Sequence, residues 1–190
     1  MYPRVFSWPI KRTAMTFFKD KLKQIKAFVF DIDGVLSCDT SPLNEEGDPV
    51  RTANVKDGYA LRNALNMNYQ IGIITGGAID RVRLRYEKLG VPHIYMGVRD
   101  KVQPLSDFME KTGLKADEVL YMGDDLIDYQ IMSLVGFPCC PLDAVHEIKE
   151  ISLYISDKKG GEGCVRDVIE QVMRAQDTWI NEKSYYWRSI

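Results

Sequence analysis

The 190-residue sequence predicts one α/β domain, a Rossmann-like parallel sheet with helices on both faces. Two observations carry that expectation. Short, continuous apolar runs recur along the chain, as expected of strands covered on both sides, and stretches with a helical spacing of apolar residues separate them. The composition agrees, with 45% hydrophobic and 27% charged residues, enough apolar material for a core. A formal charge of −2, from 25 Lys plus Arg against 27 Asp plus Glu, argues against a dedicated nucleic-acid binder. No apolar run reaches the ~20 residues that a membrane helix needs.

The elements follow in order. Residues 1–24 read as a basic N-terminal extension of unassigned role, in which Pro3 and Pro9 interrupt any long amphipathic helix. Residues 25–176 form the domain, and residues 177–190 form a C-terminal tail. The first strand, Ile25–Phe30 (IKAFVF), runs straight into Asp31-Ile32-Asp33-Gly34. Leu36–Asn54 then breaks the alternation. Two short extended pieces flank Asn44-Glu45-Glu46-Gly47-Asp48, which predicts a β-hairpin inserted directly after that strand. Leu61, Leu65 and Met67 mark the next helix, and Gln70–Ile74 is the second strand. A helix starting near Ala78 carries Val82, Leu84 and Leu89, and leads to a third strand at His93–Met96. Leu105, Phe108 and Met109 belong to a helix before the fourth strand, Val119–Met122. Ile127, Ile131 and Leu134 suggest another helix before Phe137–Cys140. A weak run at Leu153–Ile155 and a helix with Val165, Val168, Ile169 and Val172 close the domain. Cys38, Cys139, Cys140 and Cys164 have neither zinc spacing nor a disulfide framework, and are expected as reduced, mostly buried thiols.

Ligands of an open parallel sheet bind beyond the carboxyl ends of its strands. Four polar groups fall there: Asp31-x-Asp33, Thr75-Gly76-Gly77, Asp100-Lys101 and Gly123-Asp124-Asp125-x-x-Asp128. Singly, each is an ordinary cap or turn; in order at four successive strand ends they form a set. Two carboxylates 4 Å apart repel by roughly 4 kcal/mol at an effective dielectric of about 20, so Asp31, Asp33 and Asp124 together call for a cation. Hard oxygen ligands favour Mg²⁺. Thr75 and the glycines precede a helix N-terminus, which suits an anion, and Lys101 adds a point charge. Asp128, four residues after Asp124, is placed to orient ligands rather than to bind metal. A metal, an anion seat and a spare carboxylate point to phosphoryl transfer.

These groups, in this order, resemble the motifs of the haloacid dehalogenase-like phosphatases. Asn54-Val55-Lys56-Asp57-Gly58-Tyr59, Ile73-Ile74-Thr75-Gly76 and Lys159-Gly160-Gly161-Glu162-Gly163 extend the resemblance to the sugar-acid phosphatases among them, over residues 25–176. It implies a fold without a separate cap domain, and Asp31 as a nucleophile forming an aspartyl-phosphate. Asp33 is implied as the acid–base group, Mg²⁺ would be held by Asp31, Asp33 and Asp124, and Thr75 and Lys101 would hold the phosphoryl oxygens. Substrate contacts are implied at Asp33, Asn54, Val55, Lys56, Asp57, Gly58, Arg62, Thr75, Gly76, Arg85 and Lys101. The implied substrate is 3-deoxy-D-manno-octulosonate 8-phosphate, with a nonulosonate 9-phosphate as the alternative and a phospho-acceptor module as a remoter one. The implied setting is a cytoplasmic homotetramer in lipopolysaccharide synthesis, the hairpin of one subunit enclosing a neighbour's site, with no nucleic-acid or membrane partner. The Lys158–Gly163 loop and Tyr185–Ile190 are further candidates to reach across an interface. One departure stands out: Gly77 occupies the place after Thr-Gly where related phosphatases often carry Arg.

Overall fold

The computed structural model describes residues 18–185, so most of the basic N-terminal segment and the last five residues lie outside the described part. The sheet has six strands in the order β3-β2-β1-β4-β5-β6. They are β1 (Ala27–Phe30), β2 (Gln70–Ile74), β3 (His93–Tyr95), β4 (Val119–Met122), β5 (Phe137–Cys140) and β6 (Tyr154–Ile155), and every pairing is parallel. Residues 18–24 are helical (α1). The remaining helices are α2 (Val55–Asn66), α3 (Asp80–Lys88), α4 (Val102–Thr112), α5 (Tyr129–Met132), α6 (His146–Ile151) and α7 (Cys164–Ala175).

Alternation along each strand divides the core into two layers. Phe28 and Phe30 of β1 face one side with Ile71, Ile73, Leu120 and Met122, where Leu61 and Ala64 of α2 and Val168 and Val172 of α7 cover them. Ala27 and Val29 face the other side with Tyr121, under Leu105 and Phe108 of α4, Ile131 of α5 and Ile148 of α6. The chain moves from β1 through β2 to β3 in one direction and from β4 through β5 to β6 in the other. The switch point therefore lies between the carboxyl ends of β1 and β4, and a crevice opens there.

Three differences from the sequence reading have physical causes. The insertion after β1 turns back at Asn44–Gly47, but its ladder is a single antiparallel bridge, Leu43 to Pro49. Pro42 and Pro49 remove backbone donors, and residues 42–50 are solvent-exposed, so regular strands have nothing to pack on. The segment around Ile127 to Leu134 makes only a 3₁₀ turn, Leu126–Asp128, and one α-helical turn; Ile131 is buried, while Ile127 and Leu134 face solvent. α6 was not foreseen, because a six-residue helix shows too little periodicity. The expected boundaries also shift. Leu22 of the basic segment is 3% exposed in the core, and Trp179 of the tail is 6% exposed, its carbonyl bonded by Asn63 Nδ2 at 3.1 Å. Residues 18–24 and 177–185 are thus integral parts of the domain. The four cysteines are free, Cys139, Cys140 and Cys164 buried.

Candidate active site

The carboxyl ends of β1 and β4 deliver Asp31 and Asp124 to the switch point. The Asp31 N–H donates to the Met122 carbonyl at 3.1 Å, extending the ladder by one residue. Beyond Asp31 the backbone kinks: Gly34 takes φ +74°, in the left-handed region that favours glycine. Glycine is needed there on a second ground, since a Cβ would fall 1.9 Å from an Asp124 carboxylate oxygen. Oxygen atoms of Asp31, Asp124 and Asp128 lie within 4.8 Å of one another.

Lys101, 4% exposed, bridges this cluster. Its Nζ stands 2.7 Å from Asp31 Oδ2 and 2.7 Å from Asp128 Oδ1. Burial alone would lower its pKa, but Asp31 and Asp128 outweigh that and raise it. Asp128 is fully buried, and both its oxygens are engaged: Oδ1 also accepts from Tyr121 Oη at 2.6 Å, and Oδ2 from the Asp124 N–H at 3.2 Å. It is thus tied to Lys101, to Tyr121 and to the Asp124 loop. Asp31 Oδ1 accepts the Ile32 N–H at 2.7 Å. Burial, more than the opposing pull of Lys101, raises the Asp31 carboxyl to about 6, and burial with Asp31 and Asp128 raises Asp124 to about 8. One ammonium does not balance three carboxyls, and the site answers by binding protons. A hard divalent cation satisfies the same deficit, so the donor set fits one.

Thr75, 1% exposed, stands at the carboxyl end of β2. Its N–H donates to the Tyr95 carbonyl at 3.0 Å, and its Oγ1 accepts the Gly77 N–H at 3.2 Å, leaving the hydroxyl hydrogen free to donate. Asp33 is about half exposed at the mouth. Its carboxylate is gripped by Arg51 of the insertion, Nε on Oδ1 at 2.9 Å and Nη2 on Oδ2 at 2.8 Å. The sequence reading missed Arg51. A lone arginine in an exposed excursion looks like a solvated side chain, and only the neighbouring glycines hint that something occupies the room they leave.

The expected substrate residues divide. Asn54 caps α2, its Oδ1 accepting the Lys56 and Asp57 N–H groups, while its Nδ2 donates to the Gly161 carbonyl at 3.1 Å. Val55 and Lys56 are exposed at that helix start. Asp57 is 1% exposed, and it accepts the Arg166 N–H at 2.7 Å, satisfying the first turn of α7 from α2. Gly58 is buried as well, because the Arg85 guanidinium lies against it; a Cβ there would meet Nη2 at 2.8 Å. Arg62 stands apart from that helix start. Its Nη1 donates to the Leu89 carbonyl at 3.1 Å, and it sits two turns down α2 from Asn54, ~12 Å toward the opposite end of the sheet. The Lys158–Gly163 loop lies within its own subunit against the nucleophile loop. A Cβ at Gly160 would fall 1.9 Å from the Gly34 carbonyl oxygen, and the Gly161 N–H donates to Val35 O at 2.8 Å. Tyr185 is exposed, and residues 186–190 lie outside the described part.

A switch-point crevice with paired aspartates after β1, a buried lysine and a third aspartate after β4 defines a hydrolase of phosphoric monoesters. The family model of haloacid dehalogenase-like hydrolases matches residues 92–169. The chain is 35% identical over 168 residues to the 3-deoxy-D-manno-octulosonate 8-phosphate phosphatase of Salmonella typhi, covering 88% of this chain and 87% of that one. The crystal structure of the phosphatase of the same name from Moraxella catarrhalis, in complex with magnesium, phosphate and KDO, superimposes with a TM-score of 0.81 at 34% identity, covering 86% of this chain and 94% of that one. The Yersinia pestis enzyme of that name gives 0.81 at 30% identity over 85% and 87%. The chain belongs to the haloacid dehalogenase-like phosphatases.

Proposed function

We propose that the chain is a Mg²⁺-dependent phosphatase that hydrolyses 3-deoxy-D-manno-octulosonate 8-phosphate to the free sugar acid and phosphate. The observation that carries this reading is the convergence of Asp31, Lys101 and Asp124 at the β1/β4 switch point, in a chain similar along most of its length to phosphatases of that name. Asp31 and Asp124, with the Asp33 backbone carbonyl, would hold the ion. When bound, it neutralises charge on the phosphoryl oxygens and on the two carboxylates.

Asp31, aligned by the Ile32 N–H and Lys101, attacks phosphorus as a carboxylate, and the P–O bond to the sugar breaks. Asp33 protonates the departing sugar oxygen. It then takes a proton from water as that water attacks the aspartyl-phosphate, which frees Asp31 and releases phosphate. The Thr75 hydroxyl, the Gly76 backbone and Lys101 stabilise charge on the phosphoryl oxygens. Asn54, Val55 and Lys56, at the start of α2, and Arg85 are the residues left to meet the sugar acid. Supporting a homotetramer, Leu43 and Val50 of the insertion and Leu126 and Ile127 beside the site are exposed apolar residues that a neighbour could cover. The free cysteines suit the reducing cytoplasm, and among the described residues no helix is long and apolar enough to cross a membrane.

The test is phosphate release from 3-deoxy-D-manno-octulosonate 8-phosphate with Mg²⁺, using Asp31→Asn as control. Turnover no higher than that control rejects the proposal. A higher kcat/KM for a nonulosonate 9-phosphate shifts the substrate and keeps the chemistry.

A further inference from the structure

We propose that Arg51 is the positioning residue of Asp33, and that Gly77 is glycine so that the Arg51 guanidinium has a place to stand. The inference rests on the reading of Asp33 as the acid–base group. Three features of the structure converge on it. The Arg51 side chain is only 12% exposed although it comes from a solvent-exposed excursion, whereas the Asp33 side chain it holds is 47% exposed. Its fork engages both Asp33 oxygens, at 2.9 and 2.8 Å, and Nη1 anchors to the Pro49 carbonyl at 3.2 Å within the insertion itself. A Cβ on Gly77 would meet Nη2 at 2.9 Å, Cζ at 3.4 Å and Nε at 3.6 Å, its three nearest atoms all belonging to the guanidinium.

A half-exposed aspartate on a kinked loop has several rotamers open to it. A planar two-point grip selects one of them, and does so more strictly than a lysine could. The fork takes one lone pair from each oxygen and leaves the others for the proton that the carboxyl must carry and exchange. Arg51 thereby couples the insertion to the chemistry: if residues 49–51 move, the orientation of Asp33 moves with them.

Turnover of p-nitrophenyl phosphate with Mg²⁺, which still needs Asp33 to activate the hydrolytic water, provides the test. Arg51→Ala is expected to lower kcat on the order of tenfold, with KM within about twofold, because orientation rather than binding is lost. Arg51→Lys should recover part of the loss. Gly77→Ala, whose Cβ meets the guanidinium first, should lower kcat in the same direction as Arg51→Ala and by no more, and the two changes together should be no worse than the worse one alone. In an Asp33→Asn background, Arg51→Ala should change kcat less than about twofold. Additive losses, a raised KM with unchanged kcat, or a silent Gly77→Ala would overturn the proposal. Gly77→Ala decides the matter if Arg51→Ala does not fold. An Asp31→Asn variant with full turnover refutes the phosphatase mechanism instead, whatever Arg51 does.

Discussion

The chemistry of this chain is set by a few side chains whose burial and charge disagree. Without a cation, burial and the neighbouring carboxylates hold Asp124 at about 8, so at neutral pH it is mostly protonated. Mg²⁺ must displace that proton. Its apparent affinity is therefore expected to rise by about tenfold per pH unit toward pH 8 and to level off above, with roughly one proton released at pH 7. Calorimetry in buffers of different ionisation enthalpy measures the proton directly, and Asp124→Asn should abolish both binding and release. Lys101 is a second such residue. Replacing it by Met leaves Asp31 and Asp128 facing each other without a counter-charge. We expect a loss of about 3–5 kcal/mol in denaturant unfolding, together with at least a hundredfold fall in kcat/KM. The residue types at the strand ends were readable in the sequence because their chemistry is uncommon as a set. Arg51 was not, since its significance comes from what lies opposite it after folding.

At the scale of elements, long apolar runs and the last helix were legible because burial on a sheet imposes a strong pattern. Short pieces were legible in part: the runs of β3 and β6 stood out, whereas the helix expected around Ile131 shrinks to one α-helical turn after a 3₁₀ turn, and the six-residue α6 left no mark. The start of α2 is the more instructive case. Asn54 to Gly58 reads as a ligand-binding string, yet Asp57 is used to cap α7, a contact made with a residue over a hundred positions away. Asp57→Ala should thus behave as the loss of a cap, destabilising the fold by about 1–2 kcal/mol while KM for the phosphate ester stays within about twofold. A large rise in KM without a change in stability would return Asp57 to the substrate site.

For the molecule as a whole, the parallel architecture and its switch point were implicit in the order of runs, whereas the two ends were misjudged. Basic charge made residues 18–24 look detached, although Leu22 and Phe18 pack on the same core as α7, the Phe18 ring 5.6 Å from that of Phe137. Stability should carry the imprint of the site. Asp31, Asp57 and Asp124 are raised to about 6, about 6 and about 8, in each case chiefly by burial. The folded chain thus binds more protons than the unfolded one between about pH 4 and pH 8, and stability falls as pH rises through that window. The melting temperature in chelator should drop from pH 5 to pH 8, and saturating Mg²⁺ should remove much of the slope. A melting temperature that climbs with pH in chelator would contradict these assignments.

The approach of Gly160 to the Gly34 carbonyl has a practical corollary for anyone altering this protein. The Gly34 carbonyl presses on Gly160 there, so Gly160 can accept no methyl group unless the nucleophile loop retreats, and that loop has no room to move toward Gly160. A mutagenesis library confined to the neighbourhood of Asp31 would score such variants as dead for want of their remote companion. Randomising both loops together would show whether the nucleophile can be re-aimed at all.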